Sequence, residues 1–179
     1  MQISDAQREV RKVFIGGSTG QAVSGLVWLI SAALGTWVSI RLGIIALAIG
    51  GIFIFPLTQL SLKLSGHQAV LPRTNPLNQL AMQVAFIVPL NLPVIGAAAL
   101  HNVNWFYPAF MIVIGTHYMP FIFLYGMWQY AILAAALIGG GVLIGIYLPN
   151  SFVIGGWLTA ALLLVFSLVI WRISAKEIS

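Results

Sequence analysis

The chain has 179 residues, 60% of them hydrophobic and only 6% charged, with no cysteine. A soluble domain of this length carries about a quarter charged residues, so the composition is that of a polytopic membrane protein. The absence of cysteine excludes disulfides, thiolate metal sites and cysteine nucleophiles. The formal charge of +5 comes from basic residues gathered at the ends of apolar stretches, which sets nucleic acid aside as a partner and points to anionic lipid.

Residues 4–15 read as a short amphipathic helix. Ser4-Asp5-Ala6-Gln7 fits a capping box. Ala6, Val10, Val13 and Phe14 recur at helical spacing, with Arg8, Arg11 and Lys12 on another face. Such a helix is expected in the headgroup region, its cations on lipid phosphate. The glycine-rich Gly16-Gly17-Ser18-Thr19-Gly20 that follows lacks the lysine and the preceding strand of a phosphate loop, so it is expected to act as a hinge.

Six apolar spans follow, near residues 21–40, 42–62, 77–100, 105–125, 128–147 and 152–171, each about the twenty residues needed to cross the hydrocarbon. Leu26-Val27-Trp28-Leu29-Ile30 before Ser31-Ala32-Ala33 has some features of a cleaved signal. The polar stretch ahead of it is too long for an ordinary leader, so it is read as a retained span. Only Arg41 and its neighbours separate the first two spans. Asn75 and Pro76 mark the start of the third, as cap and first-turn residue, and Pro89, Asn91 and Pro93 fall at its middle. Two prolines remove two backbone donors, so this span is expected to be interrupted, its freed carbonyls facing a ligand or a neighbouring helix. Trp105, Trp128 and Trp171 stand at span ends as interfacial anchors. Small residues, Ala46 with Gly50 and Gly141 with Gly145, provide close helix contacts within the bundle or a homo-oligomer face.

The fold class is therefore all-α, one integral membrane domain of six transmembrane helices with an N-terminal interfacial helix. If the N-terminus is inside, the inner segments carry Arg8, Arg11, Lys12, Lys63, Arg73, Arg172 and Lys176 and the outer ones only Arg41. That bias places both termini in the cytoplasm, with the protein in the inner (plasma) membrane.

No aspartate or glutamate lies in any span, which argues against proton coupling through carboxylates and against a metal site. His67 and His101 sit at opposite membrane faces and cannot join His117 around an ion. No cofactor is expected. The polar residues left in the spans are neutral. Counting about 1.5 Å per residue puts Ser24, Gln59 and Gln83 roughly 10 Å to the cytoplasmic side of the midplane. His117 falls just inside it and Asn91 just outside. The candidate ligand-binding residues are His117, Asn91, Thr116, Tyr118, Gln83 and Gln59, around Gly115-Thr116-His117-Tyr118-Met119-Pro120 in the fourth span. They either line a polar cavity open to the cytoplasm or hydrogen-bond between helices. The first alternative makes the protein a small-solute transporter or channel with its site between the third and fourth spans. The second makes it a non-catalytic scaffold or accessory subunit. A Ser24–His117 dyad would make it an intramembrane hydrolase, but the estimated depths separate the two groups, and no catalytic residue is assigned.

At Asn75-Pro76-Leu77, and again at Gly115-Thr116-His117-Tyr118-Met119-Pro120 with Tyr125, the chain resembles a bacterial family of small polytopic membrane proteins of unknown function. The resemblance covers most of the length. It implies a single all-helical bundle and no particular activity.

Overall fold

A computed structural model of the chain describes residues 2–178. Among these residues the helices are α1 (Ile3–Phe14), α2 (Ser18–Trp37), α3 (Ile40–Leu64), α4 (Asn78–His101), α5 (Phe106–Tyr125), α6 (Gln129–Tyr147) and α7 (Ile154–Ile178), with short 3-10 turns at Ile15–Gly17 and Val103–Trp105. Six stretches are long and apolar enough to cross a membrane, the first taking in α1 together with α2. Helix α7 continues to Ile178, beyond Trp171. The link between α2 and α3 is only Val38 and Ser39. Ser39 Oγ caps α3 by accepting from the Leu42 amide at 3.2 Å, and Arg41 already lies inside that helix.

The core is built from α2, α5, α6 and α7. α3 packs chiefly along α2, and α4 chiefly along α5. Both outer helices leave most of their perimeter bare, with Ile52, Phe55 and Leu64 exposed on α3 and Phe86, Leu90, Val94 and Leu100 on α4. Continuous apolar surface of this extent is tolerated only against lipid or another protein.

Small residues serve contacts inside the bundle. A Cβ on Gly141 would fall 2.7 Å from the Pro108 carbonyl, and one on Gly115 would fall 3.0 Å from the Ala134 carbonyl, so α5 and α6 approach backbone to backbone. Gly43 and Gly50 do the same for α3 against α2, facing Ser31 and Val27. Gly51, Gly96 and Gly139 meet nothing and are open to the surroundings.

Three expectations are corrected at the face that carries α1. Helix α1 begins at Ile3, so Ser4 is helical and no side chain caps the start; the capping box does not form. Gln7 instead donates through Nε2 to the Phe123 carbonyl. The apolar face of α1, with Ala6, Val10 and Val13, is buried in the protein core rather than in lipid. Arg11 Nη1 reaches the Tyr125 carbonyl at 2.6 Å, where the free carbonyls of the α5 C-terminus favour a cation. Arg8 and Lys12 remain exposed. The glycine turn is no hinge. Gly16 and Gly17 are buried with φ of +64° and +89°, and a Cβ on Gly17 would lie 2.5 Å from Tyr130 Oη.

Asn75 ties this face together. It is 2% exposed. Its Nδ2 donates to the Ala6 carbonyl at 3.1 Å and to Glu9 Oε2 at 2.7 Å, while its Oδ1 accepts from the Leu77 amide at 2.8 Å. It therefore closes the turn ahead of α4, whose N-cap is Leu77 with no side-chain cap, so neither Asn75 as helix cap nor Pro76 as first-turn residue holds, and it clamps α1 under the loop of residues 65–77. Ala69, Leu71 and Leu77 of that loop are buried with it.

Candidate functional site

The segment from Gly115 to Pro120 lies in the second half of α5, which stays helical through Pro120. Successive residues on an α-helix point about 100° apart, and this dictates what happens to the motif. Gly115 faces α6. Thr116 is exposed and returns its hydroxyl to the Val113 carbonyl of its own helix at 2.8 Å. The half-buried His117 turns to α4, its Nδ1 3.1 Å from the Val84 carbonyl and its ring 5.0 Å from that of Phe121. Tyr118 is buried in the interior, stacked on Tyr130 of α6 at 5.8 Å.

The other candidates are equally dispersed. Asn91 Nδ2 donates to the Ile87 carbonyl one turn back on α4 at 2.8 Å. Gln83 is exposed on α4, and Gln59 is half-buried on α3. Among the described residues no hydrogen bond joins any two of His117, Asn91, Thr116, Tyr118, Gln83 and Gln59. Helix α4 runs unbroken through Pro89 and Pro93, which corrects the expectation of an interrupted span. Each proline deletes one rung of the ladder and the rungs on either side hold. Ser24 is buried on α2 and shares no hydrogen bond with His117, whose Nδ1 is engaged by α4. No three His, Asp or Glu side chains gather among the described residues. Two surface depressions lie elsewhere: one beside Trp171 and Lys176, the other an apolar groove of about 440 Å³ between Met119, Ile122, Ala135 and Gly139.

What the bundle does assemble is two internal polar and aromatic clusters that the sequence reading passed over. In the half of the bundle farther from α1, Ser31 Oγ donates to the Gly43 carbonyl at 2.7 Å. Its single proton thus spent, Ser31 accepts from the Tyr107 hydroxyl at 2.6 Å, and the pair joins α2, α3 and α5. Trp28, Phe106 and Phe152 pack around Tyr107, with Phe110 against Trp28 and Phe106. In the half nearer α1, Tyr118, Phe121 and Tyr125 present one stripe of α5 to Tyr130, which donates to the Gly16 carbonyl. Ser167 of α7 donates to the Ser18 carbonyl at 3.1 Å beside it. The spacing of Tyr118, Phe121 and Tyr125 at i, i+3 and i+7 was a readable signal of a shared face.

The His117 bond to Val84 is the one side-chain hydrogen bond among the described residues that fastens α4 to α5. His117→Ala is expected to lower stability by ~0.6–1 kcal/mol, a few degrees in thermal midpoint, and to raise the exchange of α4 amides around Val84. An unchanged midpoint and exchange pattern would show that the bond does not hold α4.

Six long apolar helices, two of them bare on most of their surface, define a polytopic integral membrane protein. The family match is nearly end to end: residues 3–173 fit a family of unknown function, DUF7010, and the chain belongs to it. No curated protein and no solved structure matches the chain.

Proposed function

We propose that the protein is a non-catalytic scaffold or accessory subunit of the membrane. The observation that carries this reading is how its intramembrane polar groups are used. Ser31, Tyr107, His117, Tyr130, Trp157 and Ser167 each bond another helix or the turn before α2, while Thr116 and Asn91 bond their own helices. Such bonds hold helices together at ~0.6 kcal/mol each. The bare flanks of α3 and α4 suit a membrane partner, and the open faces at Gly96 and Gly139 suit close packing by one, including a second copy. Seven of the eight basic residues belong to segments at the α1 face, so we place that face, with both termini, in the cytoplasm of a cell with an inner (plasma) membrane, against anionic lipid.

The rival reading is a small polar solute carried between α4 and α5, with His117 as the recognition group beside the proline-containing stretch of α4 and Asn91, Thr116, Tyr118, Gln83 and Gln59 contributing as the helices move. What supports it is the placement of the one intramembrane imidazole on the seam of a lightly packed helix.

Flux through proteoliposomes separates the two. For small neutral solutes, ammonium and alkali cations, stopped-flow light scattering should give the same rates as protein-free liposomes, and native gels in mild detergent should show the chain above monomer mass. Saturable flux, abolished by His117→Ala in protein that still folds, would overturn the scaffold reading. Reporter fusions at either terminus should read cytoplasmic, and a tag beside Asn104 external. An external C-terminus would defeat the orientation.

A further inference from the structure

Among the described residues, three buried side-chain polar atoms have no protein partner: Gln21 Nε2, Gln21 Oε1 and Ser174 Oγ. Ser174 Oγ lies at the turn that joins α1 to α2, and Gln21 stands in the first turns of α2 just beyond it. A Cβ on Gly16 would overlap Ser174 Oγ, so that hydroxyl lies directly against the turn. Gln21 stands one helical turn beyond Gly17 on the same face of α2, and helical side chains lean back toward the N-terminus. Gly17 itself is in contact with Tyr130 Oη and, at 3.1 Å from a built Cβ, with Tyr125. Two turns farther along the same stripe, Trp28 packs on Phe110 of α5. One heptad down the antiparallel α5 from there brings His117 and Tyr118 level with Gln21. The side chain of Gln21 is 1% exposed, and helix geometry sets it at the height of the layer formed by Tyr118, Tyr125 and Tyr130.

An amide buried without partners is costly, and a native fold meets that cost with a ligand. The chemistry of the three atoms selects which one. A cation would satisfy Oε1 and leave the Nε2 donors orphaned, and an anion would do the reverse. Among the described residues the neutral polar side chains about the turn are Tyr118, Tyr125 and Tyr130 with Ser18, Ser167 and Ser174. Only a molecule that both donates and accepts meets Nε2, Oε1 and the hydroxyls together.

We propose that this turn is an internal water site, with one or two water molecules bridging Gln21 to the tyrosine hydroxyls and to Ser174 within the part of the bundle nearest α1. The site welds the α1–α2 turn to α5, α6 and α7, and it makes this layer a hydrated point in the bundle. A buried water typically makes about three hydrogen bonds, and these residues supply that number.

Water-edited solid-state NMR of the full chain in lipid bilayers tests the proposal, with glutamine labelled at the side-chain carboxamide and Gln21→Met used to assign the signal. Polarisation from water should reach the Gln21 carboxamide several-fold faster than it reaches the methyls of Leu47 and Leu133. A build-up as slow as those methyls would overturn the proposal. Thermal unfolding supplies a second readout: Gln21→Met removes the water's anchor and should lower the midpoint by several degrees, whereas a truly orphaned amide would make the same variant more stable and would also overturn it. Tyr118→Phe or Tyr125→Phe combined with Gln21→Met should cost less than the sum of the single changes, because the groups share one bridge. Strict additivity for both pairs would remove the tyrosines from the site.

Discussion

Gly17→Ala is expected to cost the folded protein roughly 2–5 kcal/mol. About 1–2 kcal/mol of this is the left-handed backbone at φ +89°, which an L side chain resists. The remaining ~1–3 kcal/mol is overpacking, since the new methyl would sit 2.5 Å from Tyr130 Oη and 3.1 Å from Tyr125. Moving Tyr130 aside also breaks its bond to the Gly16 carbonyl, so the contact cannot be relieved cheaply. For a chain of this length each kcal/mol shifts the thermal midpoint by about 2–4 °C, and the loss should be plain in a detergent melt. Gly66→Ala is the control: its φ is +78° but nothing lies within 4 Å, so only the strain is expected. Gly139→Ala, in an open helical position, should be neutral or slightly stabilising. If Gly17→Ala and Gly66→Ala melt together, the turn is not packed as described.

Asn75→Asp is expected to release α1. Nδ2 is the donor to both the Ala6 carbonyl and Glu9 Oε2, and aspartate replaces it with a carboxylate oxygen 2.7 Å from another carboxylate. Losing two hydrogen bonds at about 1 kcal/mol each, with like charges set together, costs ~2–4 kcal/mol. The effect has a sign in pH. The repulsion raises the native-state pKa of the introduced acid, and its protonation restores a donor, so stability lost at neutral pH should return as pH falls through that raised pKa and be complete near the unfolded aspartate value of ~4. Asn75→Leu loses both Nδ2 bonds and also the Oδ1 bond from the Leu77 amide, without the repulsion, and should show no such recovery. Trypsin reports the release directly, because Arg8, Arg11 and Lys12 lie on α1: both variants should be cut there well before the native chain. Protection equal to the native protein would mean that α1 is held by its apolar face alone.

The residues that set these two effects show where sequence reading stopped. Asn75 was legible as a turn residue ahead of the third span because asparagine before proline at the start of an apolar run has a local meaning, though α4 itself starts only at Asn78. Its grip on Ala6 and Glu9, about seventy positions away, has no local signature. Gly16 and Gly17 were legible as a break between helices, but a locked turn and a hinge have the same composition. The amphipathic pattern of α1 identified its apolar face correctly, yet periodicity cannot say whether lipid or protein covers that face. For the candidate site, treating Gly115 to Pro120 as one unit counted neighbours in sequence as neighbours in space. On a helix they are not, and the residues that do share a face with Tyr118 are Phe121 and Tyr125.

The sequence by itself determined that the chain is an all-α membrane protein with six apolar spans, because the hydrocarbon thickness sets span length and lipid cannot satisfy an unpaired backbone. It also determined the uneven distribution of basic residues between the two ends. Packing alone decided that α2, α5, α6 and α7 form the core while α3 and α4 flank it, since all six spans are strongly apolar and their composition does not name their neighbours. It also decided that His117 meets a backbone carbonyl rather than a second polar side chain, and that Gln21 is buried without a protein partner. Those outcomes depend on which helix faces meet and at what height, and that is settled by close packing of distant residues, not by any local pattern along the chain.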